Sequence, residues 1–445
     1  MLLRYIVSNY RAIGHSQEFS MFPVENNSDS RYLKEIETRA GKWKILTRGG
    51  VFGPNASGKS TFISSIEFAK NCVVFGQRSG VGTGIEQFKG DFEDLNGISH
   101  FQFMIYINGE VFDYGFSMDK YQIHEEWLSQ LYEEGIKDLY TRRTQSNGKT
   151  EIDIETKFGR SSSKDRELAE ILKNSIQVDQ KNQLFLNKLY ENGITRVKPV
   201  FEWFNNLQVI FPESSIQALP LRMREDAELR RYIAQTLNKM DTGINDLSVV
   251  DTEIDIYAFA EKYNLPTELV QDIISTKNGI LKAMGKYFIF SENKDKHIVL
   301  VQIKLSHNLN NQNVELNIED ESDGTRRLLD LLPMIFSIGK SNALFFVDEI
   351  DRSLHTKLTK FLLKEFGQKL DEVTNQIIIT AHDVNLINLH DCRHDEIWFI
   401  EKNSSGEAIL KPMSDFNIRD GEDTIKSYLN GRFGAVPVIR GDLNA

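Results

Sequence analysis

The chain has almost no cysteine: Cys72 and Cys392 are the only two in 445 residues. A disulfide framework is thereby excluded, and a reducing compartment is expected. Long hydrophobic runs are also missing. No apolar stretch approaches the about 20 residues that a membrane helix requires, so no membrane span is expected. The opening residues, Met1-Leu2-Leu3-Arg4-Tyr5, lack the apolar core of a secretory signal. Positive charge is in deficit: 53 Lys and Arg face 64 Asp and Glu, a net charge of -11. Such a chain is no bulk binder of polyanions, and any nucleic-acid contact needs a local patch. Internal repeats, low-complexity tracts and sustained heptads are absent, which excludes an extended coiled coil. A soluble, cytoplasmic protein of two or three domains, or one large domain with an insertion, is expected.

What is present centres on Gly53-Pro54-Asn55-Ala56-Ser57-Gly58-Lys59-Ser60, followed by Thr61. The spacing is G-x-x-x-x-G-K-S, that of a phosphate-binding loop. Glycines let backbone N–H groups close around an anion without a Cβ clash. The helix predicted to follow, with apolar Phe62, Ile63, Ile66 and Ala69 at helical spacing, turns its partly positive N-terminus toward that anion. Lys59 reaches the terminal phosphates, and the Ser60 hydroxyl suits Mg²⁺. ATP and Mg²⁺ are the expected ligands.

Around this loop the chain predicts strands at Leu2–Val7 and near Glu18–Phe22, then a polar, mobile stretch over residues 25–42. Phe101 to Ile154 alternates and carries Asn108-Gly109 and Asn147-Gly148 turn signals, so an antiparallel β lobe is expected there. Helical spacing dominates between residues 155 and 295, at Glu167–Ile176, Gln183–Tyr190, Val200–Ile210, Glu225–Met240 and Glu268–Ile274. The expected layout is an N-terminal lobe over 1–154, a mostly helical insertion over 155–295 and a C-terminal lobe over 296–445. The glycines Gly76, Gly80, Gly82 and Gly84 read as a loop, without a second phosphate motif.

The C-terminal lobe carries the remaining chemistry. Leu344-Phe345-Phe346-Val347 is a buried-strand pattern delivering Asp348 and Glu349 at its end. Asp348 is placed to hold Mg²⁺ and Glu349 to act as general base on water. A second apolar strand, Gln376–Thr380, ends in Ala381-His382-Asp383, and His382 is a candidate γ-phosphate contact. Ser322-Asp323-Gly324-Thr325 opens a helix, where Ser322 or Asp323 serves as N-cap.

This order of motifs resembles the ABC-type ATPase heads of the SMC and RecF group, with Asn9-Tyr10-Arg11 resembling their opening strand and turn. More narrowly, Glu321–Leu332, Asp348–His355, Thr380–Asp383 and Gly431–Pro437 resemble small AAA-type, ABC-like ATPases of bacterial abortive-infection and phage-defence systems, PARIS-type ATPase subunits among them. The likeness covers residues 1–70 and roughly 315–437, and only loosely the insertion. It implies an α/β fold of the ABC-type P-loop head, with the antiparallel lobe and the helical insertion attached. It also implies a head-to-tail homodimer, or a higher oligomer, sandwiching two ATPs. In that arrangement Ser322 and Gly324 complete the facing subunit's site, Arg11 joins the nucleotide contacts, and Asp351–His355 lies at the seam. Asp323 and Thr325 depart from the transporter signature and suit the defence group better. Gln87 and Gln102 are the candidates for a further glutamine contact. The biology implied is a sensor and scaffold controlling a separately encoded toxin or nuclease effector, with a phage-derived trigger.

The alternatives are a RecF-like DNA-binding ATPase, disfavoured by the acidic charge, and an interaction protein that binds nucleotide without turnover, disfavoured by the intact Asp348-Glu349 pair. His390-x-Cys392-x-His394 fits no common zinc spacing. The arginines Arg222, Arg224, Arg230 and Arg231 interleave with Glu225, Asp226 and Glu228, as does a solvated, salt-bridged face. Arg142 and Arg143 form a smaller cluster of the same kind.

Overall fold

A computed structural model describes the chain apart from residues 25–28, 78–80, 91–95, 146, 156–162, 180, 214–218, 285, 341–342, 371–374, 419–421 and 437–445. Gly80 and Pro437 therefore lie outside the described residues. Contacts divide the chain into two compact units: Met1–Phe211 with Ile338–Asp351 and Thr359–Ala445, and Pro212–Ser337 with Arg352–Leu358.

The first unit is built on two large sheets and a two-stranded hairpin. The strand Arg48–Phe52 is buried along its whole length, as parallel strands covered on both faces must be. It lies inside a six-stranded sheet ordered Leu207–Ile210, Leu344–Val347, Gln376–Ala381, Arg48–Phe52, Ile397–Lys402, Ala408–Pro412. All pairings are parallel except the last, which is antiparallel. The strand Gln376–Ala381 thus separates the one that enters the glycine loop from the one that delivers the paired carboxylates. The C-terminal ends of three neighbouring parallel strands open on the same edge, where α/β sheets put their ligands.

The second sheet is antiparallel and seven-stranded, ordered Thr150–Ile154, Gly135–Thr144, Ile123–Tyr132, Glu110–Met118, Ser99–Ile107, Leu2–Ser8, Gln17–Ser20. The alternating run of residues 101–154 supplies five of these strands, and the opening strand joins them through Tyr5 opposite Phe103. Gln376 ties the two sheets together: its side-chain oxygen accepts from Leu2 N–H at 2.6 Å, and its nitrogen donates to the carbonyls of Leu2 and Leu46.

Two segments differ from their expected conformation. The polar stretch 25–42, expected to be mobile, supplies the strand Leu33–Thr38 and the start of its hairpin partner Gly41–Leu46. The hairpin's inward positions Ile36 and Ile45 are buried. Its outward face carries Glu35, Glu37, Lys42 and Lys44, so composition alone reads as loop. The run Val200–Ile210 splits into a helix, Lys198–Asn205, and a strand, Leu207–Ile210, whose partner Leu344–Val347 is remote in sequence.

The second unit packs helices, among them Ala227–Lys239 and Asp323–Ser337, with a five-stranded sheet of Ile244–Glu253, Gly279–Ala283, Lys286–Glu292, Ile298–Leu309 and Gln312–Asn317. Ile244–Glu253 is mostly polar, and its strand character comes from antiparallel pairing with Ile298–Leu309. Among the described residues no helix is long and apolar enough to cross a membrane.

Candidate active site

Between the strand Arg48–Phe52 and the helix Lys59–Phe75 the chain makes the tight loop that the glycine spacing demands. A Cβ on Gly53 would stand 2.2 Å from the carbonyl oxygen of Ile400. Gly58 adopts φ +115°, and a Cβ there would meet that of Ala408 at 2.6 Å. Both positions therefore require glycine. Pro54 accepts the N–H of Ser57 at 3.3 Å, and Ala56 takes a left-handed φ of +62°. Asn55 and Ala56 are exposed; Ser57 is buried and its hydroxyl has no hydrogen-bond partner among the described residues. The helix begins without a side-chain cap or an acidic residue in its first turn, which leaves its leading N–H groups for an anion. Ser60 is exposed and Thr61 half-buried in that first turn.

Lys59 is 4% exposed. Its Nζ donates to the carbonyls of Gly53 and Pro54 at 2.7 and 2.8 Å and lies 3.1 Å from Nδ1 of His382. Burial pushes its pKa down to about 8, against the opposing pull of Glu349, Asp348 and Asp351. The other ring nitrogen of His382, Nε2, lies 3.1 Å from a Glu349 carboxylate oxygen. An ammonium only donates and a carboxylate only accepts. The neighbours thus assign the imidazole an Nε2–H and leave Nδ1 as acceptor. Lys59, His382 and Glu349 form one continuous hydrogen-bonded line.

Asp348 is buried at the end of its strand, with its N–H on the carbonyl of Ile210 at 2.8 Å. Its carboxylate accepts from Thr380 Oγ1 at 2.5 Å. Glu349 adopts φ +46°. Asp351 accepts the backbone N–H groups of both His382 and Asp383 through Oδ2, at 2.8 and 2.6 Å. It thereby fixes the turn that presents the histidine. The sequence offered no signal for this role of Asp351 beyond its proximity to the carboxylate pair.

The donor set fits Mg²⁺ and a triphosphate. Carboxylate and hydroxyl oxygens are what a hard divalent cation takes. The Ser57 hydroxyl, without a partner among the described residues, the uncapped helix start and the ammonium held by its own loop's carbonyls and His382 suit an anion. Ser60 and Asp348 could hold the metal. Lys59 and the loop from Gly53 to Thr61 could hold the phosphates.

Other predicted residues lie elsewhere. Arg11, at φ +48°, donates to Ser64 at 3.2 Å and pairs with Glu86 at 2.8 Å. It therefore braces the phosphate-loop helix one turn beyond Ser60. Gln102 donates to both Asp113 oxygens within the antiparallel sheet, and Gln87 donates to the Gly97 carbonyl. In the second unit, Ser322 caps the helix Asp323–Ser337: its hydroxyl accepts the N–H of Thr325 at 3.1 Å. A Cβ on Gly324 would meet the Ser353 carbonyl at 2.8 Å. His307 holds Glu321 at 2.6 Å immediately before this turn. Arg142 is no surface group: it is buried against Glu126 and donates to the carbonyl of Lys181 at 2.9 Å.

The profile of a protein family described as "AAA domain, putative AbiEii toxin, Type IV TA system" matches residues 50–388. No curated protein sequence matches the chain. Among solved structures, an SmcHead bound to the C-winged helix domain of ScpA aligns at TM-score 0.41 and 11% identity, over 92% of this chain and 96% of that one. An Smc head with an extended coiled coil, bound to the C-terminal domain of ScpA derived from Pyrococcus furiosus, aligns at 0.39 and 12%, over 97% and 99%. The SMC head domain from Thermotoga maritima aligns at 0.34 and 9%, over 94% and 99%.

Proposed function

The chain belongs to the family described as AAA domain, putative AbiEii toxin, Type IV TA system, and from that premise we propose that it is an ATPase whose nucleotide state controls a separately encoded effector in bacterial anti-phage defence. The observation that carries the enzymatic part is the line Lys59–His382–Glu349 running across three neighbouring strand ends, with Asp348 beside it.

In this reading the N–H groups of the loop and the Lys59 ammonium bind the phosphates and orient the terminal one. Bound Mg²⁺ supplies charge neutralisation on the phosphate oxygens. Glu349 accepts the proton of the attacking water at its carboxylate. His382 donates its one N–H to Glu349 in the free site, keeping it aimed, and turns that N–H to the terminal phosphate once ATP is bound. Engagement of two chains head to tail brings the Ser322 and Gly324 turn of one to the Lys59 pocket of the other. That engaged form restrains or releases the toxin or nuclease effector in response to a phage-derived trigger. The cytoplasm is the proposed compartment.

The deciding experiment is steady-state phosphate release together with light scattering in ATP. The parental chain should turn over ATP, Lys59→Ala should neither turn over ATP nor dimerise in it, and Glu349→Gln should accumulate an ATP-dependent dimer that Ser322→Arg abolishes. A dimer indifferent to both ATP and Ser322→Arg removes the sandwich. Absence of phosphate release from the parental chain removes the ATPase.

A second reading, DNA binding of the RecF or SMC kind, has one observation in its favour. The exposed side of the helix Ala227–Lys239 presents Arg231 and Lys239 along a groove also lined by Arg230, Gln235 and Asn238. Duplex affinity that rises with ATP and falls steeply with salt supports it; binding unaffected by Arg231→Glu with Lys239→Glu removes it.

A further inference from the structure

Thr380 lies two residues before His382, at the heart of the parallel sheet, and is completely buried. The three residues before it, Ile377, Ile378 and Ile379, show what such a strand ordinarily takes. A valine would fill the space of Thr380 as well, so its hydroxyl asks for a reason beyond packing. Buried hydroxyls are partnered, and this one is partnered twice by the residues that carry the candidate chemistry. Oγ1 donates to Asp348 Oδ1 at 2.5 Å. It accepts the backbone N–H of Glu349 at 2.8 Å. The carbonyl of the same residue accepts the N–H of Ile350 at 3.0 Å. Three consecutive residues are thus held by one residue of the neighbouring strand, two of them by its hydroxyl.

These bonds explain a conformation that the local sequence does not favour. Glu349 sits at φ +46°, a left-handed region that an L-residue with a Cβ enters only when its surroundings hold it there. The Thr380 hydroxyl holds the Glu349 amide in that turn, while the Glu349 carboxylate reaches His382.

We infer that Thr380 is a positioning residue for the divalent-cation site. Its hydroxyl sets the direction in which Asp348 presents oxygen to the metal, and it fixes the turn that aims Glu349. The inference rests on the reading of Asp348 as a magnesium-holding carboxylate. It adds that the metal site spans two strands and fails when one hydroxyl is removed from the second.

Thr380→Val keeps shape and β-branching and removes both hydrogen bonds; Thr380→Ser keeps the hydroxyl. Two quantities are measured: the affinity of a fluorescent, non-hydrolysable ATP analogue with and without Mg²⁺, and the Mg²⁺ concentration giving half-maximal phosphate release. Thr380→Val should lose at least about fivefold of the Mg²⁺-dependent gain in affinity, while affinity without Mg²⁺ stays within about threefold of parental. It should need about fivefold more Mg²⁺ and turn over about tenfold more slowly. Thr380→Ser should return both quantities to within about threefold. Thr380→Cys, close in volume and a poor donor, carries the expectations of Thr380→Val should the latter not fold. Parental Mg²⁺ dependence in Thr380→Val or Thr380→Cys overturns the inference, as does a Thr380→Ser chain as impaired as either, or a parental chain whose affinity does not respond to Mg²⁺. A parental chain that binds Mg²⁺ and nucleotide without turnover overturns only the ATPase reading, and the binding arm still decides the role of Thr380.

Discussion

Lys59 and His382 stand in direct contact, Nζ to Nδ1 at 3.1 Å, and this contact joins the phosphate loop to the strand beside it. The lysine is buried and its pKa lies near 8. A triphosphate stabilises the charged ammonium, so binding draws in a proton wherever the free lysine is partly neutral, from about pH 8 upward. ATP affinity should therefore be level below pH 7 and decline as pH rises through 8 to 9. Calorimetry in two buffers of different ionisation enthalpy should register proton uptake at pH 9 and little at pH 7. Lys59→Ala should abolish this pH dependence and cost about 2 kcal/mol or more of affinity, roughly thirtyfold.

Glu349→Gln leaves the shape of the site and removes the base. Phosphate release should fall about a hundredfold or more, with nucleotide retained after gel filtration. A rate within about twofold of the parental one assigns the base elsewhere.

The loop glycines differ in what surrounds them. At Gly53 an added Cβ meets a backbone oxygen, and at Gly58 it meets Ala408 while φ is +115°. Gly406 also has positive φ, +77°, but open space around it. Urea denaturation should give losses of about 2–4 kcal/mol for Gly53→Ala and Gly58→Ala, and only about 1 kcal/mol for Gly406→Ala.

Arg48 and Glu396 form a buried pair, Nε to carboxylate at 2.9 Å. Burial raises the Glu396 pKa to about 7 despite the attraction of Arg48. The folded state therefore holds more protons than the unfolded one between about pH 4.5 and 7, and this group's contribution to stability is fully present below that window and lost as pH rises through it. Arg48→Met should cost about 3–5 kcal/mol at pH 7.5 by stranding the carboxylate. The loss should shrink at pH 5.5, where Glu396 takes a proton and becomes neutral. An equal loss at both pH values contradicts this account.

The glycine loop and the strand ending in Asp348-Glu349 were legible because each is a contiguous pattern whose chemistry needs those residues at that spacing. The alternation of residues 101–154 was legible for the same local reason. The strand Leu33–Thr38 was not, since Ile36 is its one buried residue and the rest resembles a solvated loop. Leu207–Ile210 ran on from a helical pattern and became a strand through a partner that only the tertiary fold supplies. Thr380 was visible as a letter before the histidine. Its bonds to Asp348 and Glu349 cross between strands, and no periodicity encodes them.

The strand Arg48–Phe52 has both its neighbours, Gln376–Ala381 and Ile397–Lys402, far downstream in the sequence. During synthesis the glycine loop therefore emerges early, yet the sheet that shapes it cannot close until the ribosome has passed residue 402. Pairings so distant in sequence form slowly and leave apolar edges waiting. A nascent chain of this protein should consequently stay unable to grip nucleotide, and dependent on chaperones, until those later strands have emerged.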